Sequence, residues 1–217
     1  VGTARQGAAH SIRTVRVTRG KSRRGGARLP VSRAVRTIPA SECRMPIREA
    51  LPEDAAALAA VHVLSWRAAY RDLLPGPYLD ALDIEERAGA WRARLTAPDR
   101  PTVLVATGDD GRPVAFSCFR PWPDNGEFAP GSTAELAALY ALPEVWGTGV
   151  GRALTEASAE AMGAAGFRAA ALWVFAGNTR GRRFYEAGGW RPDGTAVREE
   201  TGGRVLEELR YRRELLT

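Results

Sequence analysis

The stretch Leu139-Tyr-Ala-Leu-Pro-Glu-Val-Trp-Gly-Thr-Gly-Val-Gly-Arg152 limits the folds open to this chain more than any other. Apolar residues from Leu136 to Leu142 end at Pro143, and Gly147, Gly149 and Gly151 follow. A helical pattern then runs from Arg152 to Met162 and closes at Gly166. Strand, glycine turn and helix start together build an anion site. Glycines let several backbone N–H groups converge on one point, and the first helical turn adds unpaired donors and the positive dipole end. Thr148 and Val150 lie within the turn, and Arg152 stands where it adds a full positive charge. The pattern predicts a phosphate or pyrophosphate guest, with a purely structural turn as the alternative.

Two phosphate-binding patterns are excluded. A dinucleotide fingerprint needs a glycine three positions after the second one, but Arg152 and Leu154 occupy the two eligible places. A P-loop needs Gly-Lys-Ser/Thr; the one such triplet, Gly20-Lys21-Ser22, has Val15 where the first glycine belongs.

Gly149-Val150-Gly151 before a helix resembles the acetyl-CoA pyrophosphate loop, R/Q-x-x-G-x-G/A, of the GNAT superfamily of N-acetyltransferases. Downstream, Leu172-Trp-Val-Phe-Ala-Gly-Asn178-Thr-Arg-Gly-Arg-Arg-Phe184-Tyr185-Glu-Ala-Gly188-Gly-Trp190 resembles the family's second signature, in which a strand ends in Asn and a short helix carries Phe-Tyr. The resemblance covers about residues 45–217 and departs at one place, since Trp146 stands where the family usually has Arg or Gln. That removes a side-chain donor and shifts the expected load onto backbone amides and Arg152.

The resemblance implies an α/β fold: a mixed central sheet flanked by helices, whose splayed central strands hold the cofactor. It implies transfer of an acetyl group from acetyl-CoA to a primary amine by direct attack in a ternary complex, without a metal. Leu139, Tyr140 and Ala141 would lie on the splayed strand along the pantetheine arm, Gly147 to Arg152 on the pyrophosphate, and Asn178 on the coenzyme arm. Tyr185 would stand near the sulfur as general acid. Glu135 is the candidate base and Glu127 the runner-up. Trp66, Tyr70, Trp122 and Glu127 would border the acceptor pocket. Two alternatives stay open: a non-catalytic acyl-CoA sensor, and a nucleic-acid-associated protein acting through its basic N-terminal part.

That part is distinct in composition. The formal charge of +6 is unevenly placed: residues 1–44 carry ten Arg and one Lys against Glu42 alone, a net +10, and the remainder is −4. Residues 1–44 contain no aromatic side chain and no sustained period, so they read as a disordered extension. A basic arm lacks aromatics for base stacking, which makes nucleic acid an unfavoured partner; a transit peptide also fits the composition. A start at Met45 is favoured, while Val1, as a literally translated GTG start would give, keeps a longer chain open. No apolar run approaches the roughly 18 residues of a membrane helix. Cys43 and Cys118 make no disulfide framework, and a cytoplasmic protein with no membrane partner is expected.

From Met45 the order predicted is β-α-α-β-β-β-α-β-α-β. A short strand over Pro46–Ala50 precedes a helix from Pro52, with Leu51 a poor cap because it offers no acceptor. His62 reads as a packed core residue. A second helix is expected over Tyr78–Leu95, then a hairpin (Pro101–Ala106, Val114–Phe119), strands Glu135–Leu142 and Arg168–Phe175, a short helix Thr179–Ala187 capped by Asn178, and a last strand Val205–Tyr211.

Overall fold

The computed structural model describes residues 45–123 and 126–215. The expectations for residues 1–44 lie outside the described residues. The elements are β1 (Ile47–Glu49), α1 (Ala55–Ala69), α2 (Gly76–Asp80), α3 (Ile84–Thr96), β2 (Thr102–Thr107), β3 (Pro113–Pro121), β4 (Thr133–Ala141), α4 (Val150–Ala164), β5 (Ala169–Phe175), α5 (Thr179–Ala187), β6 (Arg191–Thr201) and β7 (Arg204–Glu214). Single 3-10 turns at Pro52–Asp54 and Pro143–Val145 lead into α1 and the glycine turn.

One seven-stranded sheet runs β1-β2-β3-β4-β5-β7-β6. Every neighbouring pair is antiparallel except β4–β5, which is parallel. Alternation along the strands feeds two faces. On one, Val103, Val105, Phe116 and Cys118 pack against Leu58 and Val61 of α1 and Trp91 and Leu95 of α3. On the other, Leu104, Ala106 and Ala115 meet Val150, Leu154 and Ala157 of α4, while Leu172, Val174 and Tyr211 meet Met162 and Trp190. Helices therefore cover both faces, as a sheet with strands buried on both sides requires.

Two details differ from the sequence reading, and one extends it. Residues 78–95 are two helices, because the Asp83 carboxylate accepts the Glu86 N–H at 2.7 Å and starts α3 anew. Leu51 indeed offers no side-chain acceptor, but its own N–H is held at 2.8 Å by the Asp54 carboxylate, both oxygens of which accept from Arg48. Finally, β6 is a full strand that the expected order lacks. Pro192, Asp193 and Gly194 near its start, and the irregular register between Pro192 and Ala196, mask its alternation.

Candidate active site

β4 and β5 pair only over Thr133↔Ala169, Ala134↔Ala170 and Glu135↔Ala171. Beyond these they part, although β4 runs on to Ala141 and β5 to Phe175. The gap opens into a cavity of about 760 Å³ that reaches from the glycine turn to the inner faces of β6 and β7. Leu139, Tyr140, Ala141, Gly147, Gly149, Val150, Gly151, Arg152, Asn178 and Tyr185 all line it, as do Glu135, Trp66 and Tyr70.

At one end stands the turn. Gly149 is the N-cap of α4 with φ of 90°, a left-handed conformation that other L-residues adopt only under strain. The helical ladder starts with Ala153 N–H to the Gly149 carbonyl at 3.0 Å. The N–H groups of Val150 and Gly151 precede that first rung and point out of the helix end. Gly151 has a second role: a Cβ there would come within 3.3 Å of the Phe184 ring, so this glycine lets the start of α4 approach α5. Gly151→Ala should therefore cost under about 1 kcal/mol through a small shift of Phe184, read as a slightly lower denaturation midpoint. Thr148 is outside the lining; its hydroxyl donates to the Val145 carbonyl at 2.8 Å and tightens the turn from behind.

Trp146 spends its indole N–H on the Ala141 carbonyl, at 2.8 Å. Its ring instead seats Arg180, whose guanidinium carbon lies 3.5 Å from the ring centroid, a close cation–π contact. Arg180 lines the cavity too. Burial lowers its pKa from the usual value, but a guanidinium remains charged. Two arginines, 152 and 180, thus mark this end as positive.

Asn178 caps α5 as expected, its side-chain oxygen accepting the Gly181 N–H at 2.9 Å. Seven residues on, Tyr185 packs between Phe184 and Trp190, with ring centroids 5.2 and 6.0 Å away. Burial, reinforced by Tyr140, pushes its phenol well above the ordinary tyrosine range.

The other end is aromatic and acidic. Trp66, Tyr70, Tyr140 and Phe175 are mutually packed, with Tyr70 edge-on to Trp66 at 5.1 Å and to Phe175 at 5.3 Å. His62 stacks on Tyr140 at 4.8 Å and 18°. It is a core residue, as read from the sequence, but its Nδ1 has no hydrogen-bond partner. Burial foremost, with Arg87 and Arg94 nearby, lowers its pKa to about 3. The folded protein therefore refuses a proton that the unfolded chain accepts below about pH 6.5. Stability from this group is lost as pH falls, by about 2 kcal/mol between neutrality and about pH 5. A His62→Gln variant should lose that part of the pH slope in denaturant titrations.

Three carboxylates line the cavity: Glu135, Glu199 and Glu208. Glu135 is 5% exposed, and its Oε2 accepts from Arg120 Nε at 2.7 Å across the β3–β4 pair. Glu208 is opposite Phe175 in the β5–β7 register. Burial raises the phenols of Tyr70 and Tyr140, the latter to about 12, and the Glu208 charge adds to both. Neither Glu199, Glu208 nor Arg180 was singled out from sequence. Trp122 and Glu127 do not line the cavity. Trp122 donates to Glu127 at 3.1 Å and lies behind Trp173, with ring centroids 6.2 Å apart; Glu127 also pairs with Arg210 at 3.1 Å. They back the wall rather than form it. Among the described residues no group of three or more His, Cys, Asp or Glu is arranged to hold a metal ion, and no helix is long and apolar enough to cross a membrane.

The family model of the Acetyltransferase (GNAT) family matches residues 63–190, more than half of the chain. The chain belongs to the GNAT acetyltransferase family. The match takes in the parted strands, the glycine turn and the Asn178–Tyr185 helix. An uncharacterized N-acetyltransferase of Bacillus subtilis, YuaI, is 36% identical over 132 residues, covering 61% of this acetyltransferase and 72% of that protein. Two solved structures share the fold. PaiA N-acetyltransferase from Thermoplasma acidophilum, in complex with coenzyme A, has a TM-score of 0.61 at 20% identity, covering 78% of this chain and 98% of its own. The acetyltransferase yncA from Salmonella typhimurium, with its cofactor acetyl-CoA, has a TM-score of 0.61 at 21% identity, covering 80% of this chain and 95% of its own. The enzyme is thus a GNAT N-acetyltransferase with a mixed α/β fold.

Proposed function

We propose that this acetyltransferase holds acetyl-CoA between β4 and β5, with its pyrophosphate on the glycine turn, and that a primary amine attacks the acetyl group directly. The observation that carries the reading is the parting of β4 from β5 beyond Glu135 and Ala171, directly beside the Gly147–Arg152 turn. The residues fit the coenzyme. Helix-start N–H groups and two arginines suit a pyrophosphate, and the open edges of β4 and β5 suit an amide-bearing arm. The two neighbours solved with coenzyme A or acetyl-CoA support the same occupant.

The coenzyme supplies an acetyl thioester, and the protein supplies position and proton handling. Backbone donors along the β4 edge would be available to polarise the thioester oxygen without reorganisation. Tyr185 keeps its proton at any working pH and offers it to the departing sulfur. Glu208, beside Tyr70 and Tyr140, takes the amine proton. Glu135, the base expected from the sequence, has its Oε2 held by Arg120 and is the second candidate. Direct attack is favoured over an acetyl-cysteine because Cys118, the cysteine among the described residues, is fully buried and absent from the lining. Burial raises its thiol pKa to about 12.

A primary-amine panel with acetyl-CoA, followed by thiol release and by mass spectrometry of the product, tests this reading. N-acetylated amine should appear one for one with free thiol; release without amine acetylation would argue against it. Arg180→Ala should weaken acetyl-CoA binding about tenfold, the value of one charge-assisted contact, with a nearly unchanged thermal midpoint. Calorimetric titration measures this. Equal affinity would remove Arg180 from the phosphate site.

A further inference from the structure

Two helices begin at the mouth of the cleft, and both carry arginine where the helix dipole disfavours it. Arg152 is the third residue of α4 and Arg180 the second of α5, and neither helix has an acid in its first turn. Cations at a helix start face the positive end of the dipole, so this placement is destabilising unless an anion joins them. Both arginines line the cavity. Arg182, two residues further along α5, is engaged elsewhere, donating to the Tyr211 hydroxyl at 3.2 Å and to the Ala176 carbonyl at 3.3 Å. Arg180 is different. Among the described residues no carboxylate or carbonyl takes its N–H groups, and its contact is with the Trp146 ring.

Trp146 makes a fixed platform. Its indole N–H is bound to the Ala141 carbonyl at the end of β4, and its backbone N–H donates to the Pro143 carbonyl at 3.1 Å. The ring therefore belongs to the β4 side of the opening, while Arg180 belongs to the β5 side through α5. Their contact spans the mouth between the two parted strands. A guanidinium stacked on a ring keeps its N–H donors in its own plane, clear of the ring and open to an oxygen-rich anion. It also loses less freedom on binding than an arginine that moves in solvent. Trp146 stands where the family usually has Arg or Gln, and its own indole donor is already engaged.

We propose that Trp146 is a positioning residue for the coenzyme: its ring holds the Arg180 guanidinium toward the phosphates at the mouth of the cleft, so that an arginine of α5 supplies the donor missing before the glycine turn. This rests on the acetyl-CoA reading of the same cleft. Trp146 offers the phosphates no donor of its own and acts through Arg180. The two residues form one unit, and removing either removes what the other contributes. A ring that only packed the turn would weaken binding by the same factor whether or not Arg180 were present. The anion is a phosphate of the coenzyme, either its pyrophosphate or its 3′-phosphate.

A double-mutant cycle on binding tests this. Coenzyme A and 3′-dephospho-coenzyme A are each titrated calorimetrically into wild type, Trp146→Leu, Arg180→Ala and the double variant. Trp146→Leu should weaken coenzyme A binding about fivefold, the effect of having to order one long side chain. In the Arg180→Ala background the same change should be nearly silent. Non-additivity with both ligands assigns the unit to the pyrophosphate; non-additivity with coenzyme A alone assigns it to the 3′-phosphate. Additive effects with both ligands overturn the proposal and leave the acetyl-CoA reading standing. No binding of coenzyme A by the wild type defeats that reading and this inference with it. Trp146→Phe keeps a ring and gives up the bond to Ala141, and it should stay within about twofold of wild type. A Trp146→Phe loss as large as that of Arg180→Ala overturns the proposal, whether or not Trp146→Leu folds.

Discussion

Glu208→Gln should lower kcat/KM for a primary amine by about a hundred- to ten-thousandfold at neutral pH, the usual cost of losing a positioned base. The amide keeps the size of the side chain and its register opposite Phe175, so the thermal midpoint and acetyl-CoA affinity should hold. The deficit should also shrink as pH rises. Near the intrinsic pKa of the amine the substrate arrives already deprotonated, and a base adds little. A carboxylate that only shapes the pocket would give a deficit independent of pH. Glu135→Gln supplies the contrast. It breaks the charge balance of the Arg120 pair, whose Glu135 side chain is 6% exposed and whose Arg120 side chain is 30% exposed. The result should be a loss of about 2–3 kcal/mol in stability, somewhat below a fully buried pair, with a smaller change in turnover. If Glu135→Gln abolishes turnover with stability intact while Glu208→Gln is active, the two roles are reversed.

Tyr185→Phe is the second large effect. Removing one oxygen should leave acetyl-CoA affinity nearly constant and lower kcat by about a hundredfold, the low end for a general acid, because a thiolate is already a fair leaving group. The raised phenol pKa fixes the pH behaviour. Folded Tyr185 keeps its proton above the ordinary range of about 10, so the wild-type alkaline limb should show no loss from this group until higher pH. The unfolded chain ionises first there, and stability from Tyr185 declines only in that alkaline window. A lower thermal midpoint with unchanged kcat, under conditions where chemistry limits the rate, would assign Tyr185 to packing alone.

The parts of this account legible in the sequence are the local ones. Asn178 and Gly188 bracket α5 because a side-chain cap and a stop are encoded within one short segment. The glycine turn is legible because the left-handed φ at Gly149 requires glycine and the helix follows at once. What escaped the sequence depends on tertiary contact. Arg180 looks like one of several arginines on α5 until the Trp146 ring, far away in sequence, seats it. Glu199 and Glu208 belong to solvent-like alternating patterns, and only the β5–β7–β6 register turns their face toward α1. Glu135 was named as the candidate base, and the sequence does not disclose that Arg120 is its partner in the β3–β4 ladder. Trp122 and Glu127 were expected at the pocket by segment; the Arg210 ion pairs and surrounding rings draw both behind Trp173 instead.

The most direct test of simultaneous occupancy is the initial rate of thiol release across a matrix of acetyl-CoA concentrations and concentrations of a primary amine that the panel shows to be acetylated. Direct attack within one cavity requires both substrates to be bound together, so double-reciprocal lines should intersect. Parallel lines, the mark of an acetylated enzyme released between two half-reactions, would contradict it.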